Sequence, residues 1–267
     1  MENYVTVDVE TYFNTIPEQL SKIAVAFSYA LNNDKKIVLI EDKNSNEISD
    51  FFQIYIKKIS KEEYDEMEFI TYDLNSNSAD TKIPNLEGNI CLKGIITNNL
   101  YIHNDIKMML NILIMHNTNY INNVNYKINE ILTYFNDSND SNDSIDINNF
   151  VGIIINSNDS NNLNIYKDAF NNFFDKTKKI VIFTDNIEWC KEKIELNTKI
   201  YYYDSLNSNK YETFILMAKL NNFIINDTIQ EWWAAYLGNN DKKIIILPLT
   251  INTTPNYKRI DSWTKYS

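Results

Sequence analysis

The sequence predicts an α/β chain of two Rossmann-like domains, each a parallel sheet flanked by helices. Three observations carry that expectation. Beyond Phe150, short apolar runs alternate with helical patterns in regular order, and strands separated by single helices pair in parallel with right-handed crossovers. The first forty residues show the same β-α-β order. Between them lies Asn136–Asn149, a polar run with a triplicated Asn-Asp-Ser and no means of forming a core. The expected organisation is therefore an N-terminal domain over 1–135, a low-complexity linker over 136–149 and a C-terminal domain over 150–267.

Along the chain, Tyr4–Val9 alternates Val5, Val7 and Val9 with Thr6 and Asp8, as a strand does. Pro17 opens a helix with Leu20, Ile23, Ala24, Phe27 and Leu31 on one face, and Asn32-Asn33-Asp34 ends it. Lys36–Ile40 is a compact apolar strand. Residues 50–75 mix aromatic and charged side chains without a clear period, although Glu62–Glu66 suits a solvated helix face. Asn104 to Phe135 reads as largely helical. The C-terminal strands are expected at Phe150–Ile155, Lys179–Phe183, Lys199–Tyr203, Phe223–Ile225 and Lys243–Leu247. The helices between them fall at Ile165–Phe174, Ile187–Ile194, Tyr211–Leu220 and Thr228–Leu237.

Composition excludes several classes. The 267 residues are 44% hydrophobic and 13% aromatic, enough for buried cores despite the abundance of Asn. That bias towards Asn, Ile, Lys and Tyr is the colouring of an AT-rich genome. A net charge of −11 and a pI near 4.7 argue against nucleic acid or an anionic membrane as partner. Arg259 is the single arginine, so bidentate grip on a diphosphate is scarce. Cys91 and Cys190 make no disulfide framework, and no Cys/His cluster has zinc spacing; no metal or cofactor is expected. The polar start is no signal peptide and Met108–Met115 is too short for a membrane span, so a reduced, cytoplasmic setting is expected. His103 and His116 have no paired acid or Ser at a telling spacing.

Four segments, in order, carry a resemblance. Asn14-Thr15-Ile16-Pro17-Glu18-Gln19-Leu20-Ser21-Lys22-Ile23-Ala24 matches the frame of a first helix that begins Gly-Gly-Leu-Gly-Asn-Gln. Val151–Asp159 aligns with a strand ending His-x-Arg-Arg-Gly-Asp. Phe183-Thr184-Asp185-Asn186-Ile187-Glu188-Trp189-Cys190-Lys191 is close to Phe-Ser-Asp-Asp-x-x-Trp-Cys-Lys. Asn226-Asp227-Thr228-Ile229-Gln230-Glu231-Trp232-Trp233 is similar to Asn-Ser-Thr-Phe-Ser-Trp-Trp-Gly, with one residue inserted before the Trp pair or in a shifted frame. Together they resemble the family 11 α-1,2-fucosyltransferases, which use GDP-fucose. The resemblance covers residues 14–40 and 150–247. It implies a GT-B-like architecture, two Rossmann-like halves meeting at a cleft, and a nucleotide sugar or glycan as partner.

The same alignment shows what has changed. Pro17 and its neighbours replace glycines that bring backbone close to a donor, Asn156 and Ser157 replace both Arg, and Asp227 stands where the family has Ser. The family's strand-end Arg is understood to stabilise the departing diphosphate. Donor-cleft candidates are Gln19, Asn156, Asp159, Asp185, Asn226, Asp227 and Thr228; no catalytic residue is assigned. Each has a plainer reading. Asp159 and Asp185 suit helix caps, Gln19 suits a solvent-facing helix position as well as a cleft, and Trp189, Trp232 and Trp233 suit core packing. The expected function is a divergent transferase-fold protein, a pseudoenzyme impaired for GDP-fucose transfer and serving as scaffold, partner or glycan binder. The alternative is an active glycosyltransferase.

Overall fold

The computed structural model describes residues 2–8, 15–41, 56–74, 83–94, 104–115, 117–136, 146–157, 163–175, 177–226, 228–237, 243–246 and 263–266. The chain groups into two compact units, Met1–Asn117 with Pro255–Lys258 and Thr118–Thr254 with Arg259–Ser267.

In the first unit, β1 (Tyr4–Val7), β2 (Lys36–Ile40), β3 (Lys57–Ile59), β4 (Ile70–Asp73) and β5 (Ile90–Lys93) form an all-parallel sheet in the order β3-β2-β1-β5-β4. Helix α1 (Ile16–Asn32) follows β1. Its start is a capping box: Thr15 Oγ1 accepts from the Glu18 amide and Glu18 accepts from the Thr15 amide, with Pro17 in the first turn. Burial is wider than a single face. Leu20, Ile23 and Ala24 are buried as expected, but so are Gln19, Ser21 and Lys22, whereas Leu31 is 58% exposed. The ambiguous stretch resolves into β3, the short helix α2 (Lys61–Glu66) and β4; α2 buries none of its residues, as its acidic run implied. The strand β5, unassigned in the sequence, pairs with the central β1. Cys91 on β5 is buried, which pushes its thiol pKa up.

The helical stretch is two helices, α3 (Asn104–Met115) and α4 (Thr118–Asn136), with the unit division between them. The expected boundary at 136–149 therefore differs from the contact division, and the reason is packing. Helix α4 buries Val124, Ile131 and Phe135; Phe135 lies 5.4 Å from Phe150 and Tyr120 lies 5.3 Å from Tyr211, ring to ring. Residues 137–145 of the polar run lie outside the described residues.

The second unit follows the expected alternation: β6 (Phe150–Ile154), α5 (Leu163–Phe173), β7 (Lys179–Thr184), α6 (Ile187–Lys193), β8 (Ile200–Asp204), α7 (Lys210–Lys219), β9 (Asn222–Ile225), α8 (Ile229–Tyr236), β10 (Lys243–Ile246) and a short β11 (Thr264–Lys265). All pairings are parallel, in the order β11-β10-β9-β6-β7-β8. Every residue of β6 and β9 is buried, as in a sheet covered on both faces; all are apolar except Asn222, whose side chain donates to the Asn148 and Phe150 oxygens. Gly152 in β6 is required by contact: a Cβ there would sit 2.5 Å from the Phe223 ring and 2.9 Å from Leu220. Trp232 and Trp233 are 3% and 1% exposed, set edge to face 5.1 Å apart, and serve the core. Trp189 is partly buried against a cluster that includes Ile180, Ile182 and Cys190, and the buried Cys190 thiol donates to Thr184 Oγ1 at 3.1 Å.

Candidate functional site

In the second unit, strand order runs outward from β6 to β7 and β8, then returns across β6 to β9, β10 and β11. Order thus reverses between β6 and β9, and the carboxyl ends flanking such a switch point are where open α/β sheets bind ligands. Four sequence candidates with described positions lie there: Asn156 after β6, Asp185 after the neighbouring β7, Asn226 after β9, and Thr228 at the start of α8. Asp159 and Asp227 lie outside the described residues. Gln19 belongs to the first unit. It is 1% exposed, so it is no solvent-facing residue.

The β6 and β7 ends are tied by one side chain. Asp185 Oδ1 accepts from the Ser157 amide at 2.8 Å, and its Oδ2 accepts from the Ser157 hydroxyl at 3.0 Å. Asp185 therefore does not cap the helix that follows it. Asn186 does, accepting from the Trp189 amide at 3.0 Å. Thr184 completes the corner by accepting at its Oγ1 from the Asn186 amide at 3.1 Å and at its main-chain oxygen from the Ser205 hydroxyl at 2.8 Å. Asn156 is exposed at the end of this latched loop.

The β9 end is closed by a residue the sequence reading passed over. Glu231, 4% exposed, accepts from the Asn226 amide at 2.5 Å, while its own amide donates to Thr228 Oγ1 at 3.3 Å. The signal was present as Thr228-x-x-Glu231, an Ser/Thr-to-Glu spacing of the capping-box kind. Asn226 also donates from Nδ2 to the Tyr166 hydroxyl at 2.6 Å, which ties β9 to α5. The positive end of α8 thus faces a carboxylate supplied by the protein itself. Two lysines of the second unit are engaged elsewhere: Lys191 pairs with Glu188 at 2.8 Å and Lys210 lies 4.9 Å over the Tyr211 ring.

Among the described residues no group of three or more His, Cys, Asp or Glu could hold a metal ion, and no helix is long and apolar enough to cross a membrane.

Two all-parallel sheets with flanking helices and strand-end loops at a switch point define the GT-B-like class of nucleotide-sugar glycosyltransferase folds. Over residues 1–265 the chain matches the model of Glycosyl transferase family 11, and it belongs to that family. It is similar to the O-antigen biosynthesis glycosyltransferase WbnK of Escherichia coli, 30% identical over 88 residues, which are 32% of this chain and 29% of that protein. Its fold is similar to that of the fucosyltransferase NodZ from Bradyrhizobium, with a TM-score of 0.56 and 12% identity over 88% of this chain and 93% of that one. NodZ soaked with GDP-fucose gives a TM-score of 0.54 at 13% identity, covering 88% of this chain and 92% of that one. A variant of Arabidopsis thaliana FUT1 in complex with GDP gives 0.51 at 11%, covering 95% of this chain and 72% of that one.

Proposed function

We propose that this chain is a fucosyltransferase-fold protein with a self-occupied donor site, impaired for GDP-fucose transfer and retained as a glycan-binding or partner protein. The observation that carries the proposal is the Glu231 carboxylate of the first turn of α8 on the Asn226 amide at the end of β9, where a donor phosphate would otherwise find an N–H beside a helix N-terminus. Ser157 adds support from the other side of the switch point. It stands at one of the family's Arg positions and is held by Asp185, so a neutral, internally bonded side chain stands where the family has a guanidinium. A reduced, cytoplasmic setting belongs to the same proposal; the two buried free thiols, Cys91 and Cys190, are consistent with it.

Losing a charge-assisted hydrogen bond costs about 1.5–3 kcal/mol, so loss of both family Arg weakens a diphosphate on the order of a hundredfold or more. Calorimetric titration of the full chain with GDP-fucose, beside a fucose-transfer assay on sugar acceptors, tests the proposal. The expected result is no saturable heat at micromolar concentrations and no transfer. Micromolar binding, or measurable transfer to any acceptor, would return the chain to the active transferases.

A further inference from the structure

One lateral edge of the first sheet departs from what all-parallel sheets show. Such sheets are covered on both faces, and β5 follows the rule, with Ile90, Cys91 and Leu92 all buried. Its neighbour β4, the last strand on that side among the described residues, has no buried residue. Ile70 is 53% exposed, Thr71 and Asp73 are exposed, and Tyr72 is half-buried. The backbone turns outward as well. The Ile70 amide donates to the Asn89 oxygen at 2.8 Å in register with β5, so Thr71, one residue on, directs its N–H and C=O away from the sheet.

An open strand edge is a template for pairing with another chain, and charge on it decides which chain. Here the charge is of one sign. Residues 61–73 hold six carboxylates and a single ammonium, Lys61. That ammonium is engaged locally, 3.3 Å from Asp65 and 4.5 Å over the Tyr64 ring. Lys93 adjoins Asp73 in the ladder and adds only one more cation. Glu66 and Glu68 stand exposed just ahead of β4. A turn through Glu68, with φ at 49°, and a Tyr64–Phe69 ring stack at 4.7 Å fix the strand's entry. This rim repels a second β4 and favours a basic strand.

We propose that the outer edge of β4 docks an extended segment of a partner protein, basic and apolar side chains alternating along it, as a sixth strand of the first sheet. Thr71 supplies main-chain pairing. Ile70 and Tyr72 share one face of β4 and meet the apolar side chains, while the acidic rim selects the basic ones. The proposal gives the partner role proposed above a surface and rests on that role, not on the closed crevice of the second unit.

The probe is the capped peptide acetyl-Lys-Val-Lys-Val-Lys-Val-amide, titrated into the full chain and followed by amide NMR. A saturable shift of the Thr71 and Asp73 amides is expected, with a midpoint of about 1 mM or below. Thr71→Pro removes the outward N–H, a change that an edge strand tolerates. It should weaken binding about tenfold, read at the Asp73 amide. Glu68→Lys should weaken it about threefold, and a peptide with Glu in place of Lys should shift neither amide. Thermal melts show whether Thr71→Pro folds. If it does not, the unmodified chain decides with a peptide N-methylated at every residue, which cannot complete a ladder and should not bind. No saturable shift, or an equal response to the N-methylated or Glu peptide, overturns the docking edge. Self-association of the chain alone, abolished by Thr71→Pro in sedimentation, would assign the edge to β3 of a second copy, with its Lys57 and Lys58, and overturn the partner segment. GDP binding by the same sample is a separate readout: it would sink the closed-donor proposal and leave this one standing.

Discussion

A first-turn carboxylate bonded to the main-chain amide of the preceding strand end does there what a phosphate oxygen would do, accepting the N–H beside the positive end of the helix. Glu231 holds that position on Asn226. Glu231→Gln keeps the shape and removes the charge. It should cost about 1 kcal/mol of stability, as a charge-assisted bond becomes a neutral one, while GDP affinity rises; a denaturant melt and a GDP titration check the two halves. Lys22 gives a prediction with a sign. Its folded pKa is depressed by burial below the ordinary 10.5, so the unfolded chain binds the proton more readily between the two values. Stability from this residue therefore rises as pH climbs from the folded value towards 10.5, and is lowest below it. Lys22→Met should remove that alkaline rise, measurable as the difference between the two proteins' pH–stability curves. Asp185 was legible as a strand-end residue, but its bond to Ser157 depends on neighbouring strands that only the folded sheet brings side by side.

At the scale of elements, most of the second sheet was readable because β6 to β10 are short, mostly apolar runs, and β6 to β9 are spaced by single helices. The middle of the chain was not. Strand β4 is mostly exposed, with no buried residue, and β5 is four residues long, so neither carries a period strong enough to mark it. Helix α4 was legible as a helix but not as a member of the second unit, since its partners Phe150 and Tyr211 are set by tertiary packing. A fragment starting at Thr118 should accordingly melt cooperatively, and one starting at Phe150 should be less stable, having lost the cover of Val124, Ile131 and Phe135. Equal melting of the two fragments would count against the division at Asn117. Within the sheet, Gly152→Ala forces a methyl against Phe223 and should cost about 1–3 kcal/mol of overpacking. Phe223→Leu in the same background is expected to recover part of that loss.

For the molecule as a whole, the proposed reading is that fold and diphosphate chemistry have parted company. Buried residues build two parallel sheets, and the match to Glycosyl transferase family 11 extends across residues 1–265. The polar residues at the second switch point instead bond to one another: Asp185 to Ser157, Glu231 to Asn226, Asn226 to Tyr166. A net charge of −11 and a single Arg leave little to attract a nucleoside diphosphate from solution. The most direct measurement of this closure is the response of the Ser157 and Asn226 amides to GDP, followed by NMR on the full chain. Both N–H groups are held by internal carboxylates, so neither signal should move as GDP is raised through the micromolar range. A saturable shift of both with a micromolar midpoint would show that the crevice opens to a diphosphate, and would contradict the self-occupied donor site.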